Sequence, residues 1–386
     1  KPVDGHAPAV RGEDARRYFA AGITTDHECF TSEEGFEKAM LGVKILIREG
    51  SAAKNFRALI HLLDQFPEQI MFCSDDKHPD DLAVGHINQL VIRAIKNHRC
   101  NLFDVLRAAC LRPVEHYKLP VGTLRLGDPA DFIVVTDLEN FTVRQTWIDG
   151  KLVAENGKTL IQPADCETIN HFNVAPKSPT DFRLPVPNSG ANLKLPPELS
   201  PSIRVIRALN GQIITESFTA PARVENGFAV SDPERDILKF TVVNRYFEAP
   251  PAVAFIQNFN LKKGAIASCV GHDSHNILAV GTDDESLCRA VNLIIENQGG
   301  ICAVEGVREE RVLPLPVAGI MTTEDGWQVA EKYSAIDAFV KNELGCTLTA
   351  PFMTLSFMAL LVIPELKLSD KGLFDGKKFE FVELFS

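Results

Sequence analysis

Several features are missing from the 386-residue sequence, and each absence removes a class of function. Its nine cysteines are scattered singly, with no Cys-x-x-Cys pair. That argues against a disulfide framework and against a structural zinc knuckle, and makes a reducing cytoplasm the expected location. No apolar run is long enough to span a bilayer and no signal-peptide pattern is found, so no membrane partner is expected. The stretch at 352–363 is apolar but too short to span and reads as buried. Basic residues neither dominate nor cluster, the formal net charge being −11, so no nucleic-acid partner is expected either. There is no Gly-x-x-x-x-Gly-Lys-Ser/Thr loop, no Rossmann glycine pattern after a strand and no Gly-x-Ser-x-Gly elbow. The His-x-Glu plus Pro-Cys-x-x-Cys signature of the zinc cytidine-type deaminases is also absent. Neither an internal repeat nor a low-complexity tract is found.

What remains is the composition of an ordinary globular protein, 45% hydrophobic and 24% charged, with room for two or three cores. Residues 1–81 alternate short apolar runs with helical stretches. A strand ends at residues 2–6, a helix is expected at 12–21, and a β-type run at 22–27. Thr31-Ser32-Glu33-Glu34 offers a capping box to a helix that Gly42 stops. A β-branched run follows at 43–48, a helix at 52–66 and a strand at 69–74. Strand, helix, strand with short joins predicts a parallel sheet and suits a (β/α) barrel. The fold class expected is therefore α/β: part of a (β/α) barrel over 1–112 (its C-terminal strands, by the family resemblance given below), then a small β domain over 113–161, where Asp149-Gly150 signals a hairpin. A Pro- and Asn-rich connector is expected at 162–203 and a separate α+β domain at 204–386.

Polar, chemically capable residues stand at the ends of these runs: His6, then Asp26-His27-Glu28, then Arg48-Glu49, then Asp75-Asp76. Barrel active sites are assembled from strand ends of this kind. His6, His27 and Asp75 would converge on one rim, and two imidazoles with a carboxylate suit a catalytic divalent metal. Singly, each histidine is more often a hydrogen-bonded structural residue; it is their shared placement that favours the metal. Asp75 can also move a proton beside an activated water. On an extended backbone Asp75 and Asp76 point to opposite sides, one toward the metal and the other toward substrate. The plain alternative is an acidic turn before a helix, with Asp80 and Asp81 as caps. Arg48, Glu49 and Ser51 line the same rim and are substrate-contact candidates. A second polar turn, Gly271-His272-Asp273-Ser274-His275-Asn276, could bind a metal, cover a substrate through His272 and His275, or simply turn the chain; spacing does not choose.

Several segments resemble one family. Asp4-Gly5-His6-Ala7-Pro8, Thr25-Asp26-His27-Glu28-Cys29, Ile47-Arg48-Glu49-Gly50-Ser51 and Phe72-Cys73-Ser74-Asp75-Asp76 look like the adenine deaminases of the amidohydrolase superfamily. So do Ala249-Pro250-Pro251-Ala252, His272-Asp273-Ser274-His275-Asn276 and Ala350-Pro351-Phe352-Met353-Thr354-Leu355-Ser356-Phe357. The resemblance implies a TIM-barrel hydrolase of purine salvage. It would convert adenine to hypoxanthine and ammonia at a centre of manganese or iron, with zinc as a third option. By position, His6 and His27 match the family's metal ligands from strands five and six, and Asp75 the strand-eight ligand and proton shuttle. For Asp76 an analogy with the related adenosine deaminases implies purine contact. A homo-oligomer is expected. The family's His-x-His pair and bridging Glu from the first barrel strands have no match in this sequence, so the chain is expected to be the C-terminal two-thirds of such an enzyme, with little activity alone. Two other readings are a different cyclic-amide amidohydrolase and a non-catalytic fragment.

Overall fold

The computed structural model describes residues 1–164, 166–187, 200–306 and 308–386. Part of the expected connector, residues 165 and 188–199, lies outside the described residues. The chain divides into two units: Lys1–Lys77 with Asp81–Asp165, and His78–Asp80 with Cys166–Ser386. No helix among the described residues is long and apolar enough to cross a membrane.

In the first unit, helix α1 (Gly12–Ala20) precedes strand β1 (Thr25–Asp26), helix α2 (Ser32–Met40), strand β2 (Lys44–Arg48) and strand β3 (Ile70–Cys73). The three strands form one parallel sheet in chain order, Asp26 opposite Ile45 and Arg48 opposite Cys73. A parallel bridge between Val3 and Ile23 extends the same succession. The expected strand at 22–27 is thus reduced to Thr25–Asp26 and the Ile23 bridge, and the one ending at 2–6 to the Val3 bridge. Thr31 caps α2 by accepting from the Glu34 amide at 3.2 Å, and Gly42 (φ +82°) ends the turn beyond it. A core in this unit has Ile45, Ile47, Phe56, Leu59, Leu62 and Ile70 among its buried residues. Burying side chains of this size contributes about 1.5–3 kcal/mol each.

The single helix expected at 52–66 is instead two short ones, Phe56–Leu59 and Leu62–Gln65. Residues before Phe56 are drawn to the sheet: Asn55 accepts from the Arg48 amide at 2.7 Å and donates to the Cys29 carbonyl at 3.1 Å. Farther on, four antiparallel strands (Phe132–Val135, Val143–Ile148, Lys151–Glu155, Lys158–Thr159) make a small sheet. Asp149 (φ 49°) and Gly150 (φ 71°) form the expected hairpin.

The second unit is built on an eight-stranded sheet. Its strands run in the order Thr215–Pro221, Ser202–Ala208, Ala252–Gln257, Leu238–Val243, Ile277–Gly281, Ala265–Ser268, Gly300–Glu305 and Glu309–Pro314. All neighbours are antiparallel except Ser202–Ala208 with Ala252–Gln257. Helix Asp284–Glu296, capped by Asp283, buries Leu287, Val291 and Ile294 against this sheet. Of the stretch at 352–363, read as buried, the part within helix Pro351–Phe357 is buried, whereas Val362 beyond it is 65% exposed.

Candidate metal centre

The site lies where β1, β2 and β3 end. β1 stops at Asp26, and His27 and Glu28 follow at once. β2 ends at Arg48, and Asp75 comes two residues beyond β3. His6 comes from the loop after the Val3 bridge, its amide accepted by the Tyr18 hydroxyl at 3.0 Å. The His6 and His27 rings meet edge to face with centroids 4.4 Å apart. His27 Nε2 faces two carboxylates, Glu28 Oε1 at 3.4 Å and Asp75 Oδ2 at 3.5 Å, and His6 Nδ1 stands 3.7 Å from Glu28 Oε1.

Arg48 organises the acids. It is buried, and its fork takes Glu28 with NH1 to Oε1 at 2.9 Å and NH2 to Oε2 at 3.0 Å. The same NH1 bonds Asp75 Oδ2, while Nε donates to the Ala53 carbonyl at 3.0 Å. Burial by itself would push the Glu28 carboxyl up. The two imidazoles and the guanidinium overcome that and hold it well below the usual carboxylate range. Glu28 in turn draws the His6 imidazole upward against the opposing effect of burial.

Asp75 adopts φ 53° rather than the extended backbone expected of it. The pleat has ended at Cys73, so alternation no longer fixes where Asp75 and Asp76 point. Aspartate is among the few residues that enter the left-handed region readily. Gly50 makes the rim possible, since a Cβ there would stand 2.6 Å from the Asp76 carbonyl and 3.0 Å from that of Ser74. Ser51 donates its amide to the Asp76 carbonyl at 2.9 Å and its hydroxyl to Asp81. Glu49 accepts from the Phe56 amide at 3.3 Å and pairs with Arg93.

The donor chemistry fits a divalent cation. His6, His27 and Glu28 bring one ligand atom each within 4.8 Å of one another, and Asp75 adds a further oxygen. Glu28, absent from the expected site residues, was visible only as the acid following His27. In a second trio of donor type, Asp26, Cys29 and Glu34, the two carboxylates already bind the Lys38 ammonium, and the Cys29 thiol donates to Asp26 Oδ2 at 3.7 Å.

A model of the amidohydrolase family matches residues 2–153, and one of the adenine deaminase C-terminal domain matches residues 212–380. The chain is 54% identical to an adenine deaminase of Salinibacter ruber, across 100% of this chain and 68% of that protein. It is also 54% identical to one of Sulfurovum sp., over 99% of this chain and 68% of the relative. With the adenine deaminase of Borreliella burgdorferi the identity is 45%, over 99% and 68%. The chain belongs to the adenine deaminase family.

Within this family member, the first unit brings His6, His27 and Asp75 together with Arg48. It places Glu49, Ser51 and Asp76 on the adjoining rim. His272 and His275 lie in the second unit, in the turn between Ala265–Ser268 and Ile277–Gly281. There the His275 amide donates to the Gly271 carbonyl at 2.8 Å, and the His272 amide to that of Ser356 at 3.0 Å. The His272 ring packs 4.7 Å from Phe357, and Tyr246 donates its hydroxyl to the Ser274 carbonyl at 2.6 Å. This polar turn is tied down on both sides.

Proposed function

We propose that this chain carries out the hydrolytic deamination of adenine to hypoxanthine and ammonia, as a hydrolase of carbon–nitrogen bonds in cyclic amidines. The observation that supports it best is the convergence of His6, His27, Glu28 and Asp75 at successive strand ends, in a chain that shares half its residues with adenine deaminases. His6 and His27 would hold the cation, with Glu28 and Asp75 adjoining; manganese or iron is the first choice and zinc the next. Bound there, the cation supplies Lewis acidity at neutral pH.

The residues do the remaining work. Asp75 accepts a proton from the water that attacks the amino-bearing ring carbon and passes it to the amino nitrogen, which leaves as ammonia. Arg48 keeps Glu28 ionised and, through its bond to Asp75 Oδ2, orients the acceptor oxygen. Asp76, Glu49 and Ser51, beside Arg48, form the rim against which the purine is held.

The test is ammonia release from adenine by the purified chain supplied with manganese, iron or zinc, together with metal analysis. Activity, even at the low level expected of the chain alone, that comes with a stoichiometric metal and is lost on His27→Ala supports the reading. Ring opening of hydantoin or dihydroorotate, with no adenine turnover, would replace it with another amidohydrolase activity.

A further inference from the structure

The two histidines sit on separate loops, and a metal site needs their separation fixed. We propose that Lys38 is the positioning residue for both, acting through Asp26 and Glu34 as a buried clamp. An ammonium has three N–H donors, and Lys38 Nζ has three acceptors, each at 2.6 Å: the Ala7 carbonyl, Asp26 Oδ2 and Glu34 Oε1. Ala7 directly follows His6, and Asp26 directly precedes His27. The two carboxylates pass the hold onward. Asp26 Oδ1 accepts the Glu28 amide at 2.8 Å, Glu34 Oε1 the Ala9 amide at 2.9 Å, and Glu34 Oε2 the Phe30 amide at 3.1 Å. Each of these side-chain bonds out of the cluster therefore ends on one of the two histidine-bearing loops.

The setting rules out a surface ion pair. Lys38 and Asp26 are 0% exposed and Glu34 2%. Lys38 and Glu34 stand four residues apart on α2, so one helix face supplies both charges. A buried ion cluster gains little net stability over an apolar replacement of the same volume, because desolvation offsets its attraction. What it does supply is directed geometry at two loops at once. Polar groups behind metal ligands act in this way, and their loss weakens metal binding by about 10- to 100-fold. The inference rests on the metal-centre reading above.

The test compares the parent chain with Lys38→Met and the milder Glu34→Gln, which leaves the Lys38–Asp26 pair in place should Lys38→Met not fold. Two quantities are measured: amide hydrogen exchange residue by residue, and cobalt(II) affinity from its visible absorption. The clamp predicts exchange faster by about tenfold or more at Ala9, Phe30 and Glu28 in Lys38→Met and at Ala9 or Phe30, whichever meets the new amide nitrogen, in Glu34→Gln, with Ile45–Ile47 amides unchanged. It also predicts cobalt binding weaker by about 10- to 100-fold. Unchanged exchange at those amides, or cobalt affinity within about twofold of the parent, overturns the clamp. So does affinity lost only in step with global unfolding. A parent chain that takes up no cobalt overturns the metal-centre reading itself, which is a different failure.

Discussion

Arg48 meets Glu28 edge-on, two nitrogens to two oxygens at 2.9 and 3.0 Å, and with one of those nitrogens also holds Asp75. Replacing the guanidinium by an apolar chain of similar length leaves a buried carboxylate without its counter-ion. Arg48→Met is expected to cost about 3–5 kcal/mol in urea unfolding. Arg48→Lys should recover only part of that, because a point charge cannot match the fork. A change smaller than about 1 kcal/mol would mean that solvent already screens the pair.

Asp75→Asn should separate chemistry from folding. Asparagine also tolerates the left-handed backbone at this position and can still accept from Arg48. Turnover of adenine, followed as hypoxanthine formation, is expected to fall by about 10²- to 10⁴-fold while the unfolding midpoint stays put. Retained turnover would remove Asp75 from the proton path.

Two glycines make a matched pair. A methyl at Gly50 meets backbone carbonyls on either side of Asp75, whereas Gly42 has open space around it and a φ of +82°. Gly42→Ala is expected to cost about 1 kcal/mol, from backbone strain alone, and to leave turnover untouched. Gly50→Ala must push the rim apart. It should lower both stability, by about 1–3 kcal/mol, and kcat.

Lys367 offers a pH test in the second unit. It is fully buried, and its Nζ donates to the Ile213 carbonyl at 2.7 Å and the Phe357 carbonyl at 3.0 Å. Burial pulls its pKa down from 10.5 to about 7. Between those values the unfolded chain binds a proton that the folded chain does not, so stability rises with pH across that window. The slope is at most about 1.4 kcal/mol per pH unit, and below pH 7 the contribution is lost. Lys367→Met should therefore be more stable than the parent near pH 7, with the gap closing toward pH 10. Urea unfolding at three pH values reads this directly, and parallel curves for the two proteins would contradict it.

Local signals carried much of the fold. The Thr31 cap, the stop at Gly42 and the Asp149-Gly150 hairpin depend on neighbours in sequence, and each stands where its residue types put it. His6, His27 and Asp75 could be grouped because strand ends in a parallel succession face one way. The rest depends on contacts between distant segments. Glu34 and Lys38 have the spacing of a solvated helix pair, yet tertiary packing buries both. The residues before Phe56 have helical composition, but Asn55 spends its side chain on Arg48 and Cys29, and the helix starts late. Strand alternation does not set the orientation of Asp75, because the strand ends at Cys73 and Asp75 turns into the left-handed region.

The ends of β2 and β3 are joined by main-chain atoms, the Ser51 amide to the Asp76 carbonyl, across a glycine that lets them approach. For anyone redesigning substrate scope, this divides the rim into fixed and variable parts. The side chain at 76 can be varied while that seam stays closed, because its contribution is a main-chain carbonyl, whereas Ser51 is buried and its hydroxyl also bonds Asp81. Position 50 has to be left as glycine in any such library.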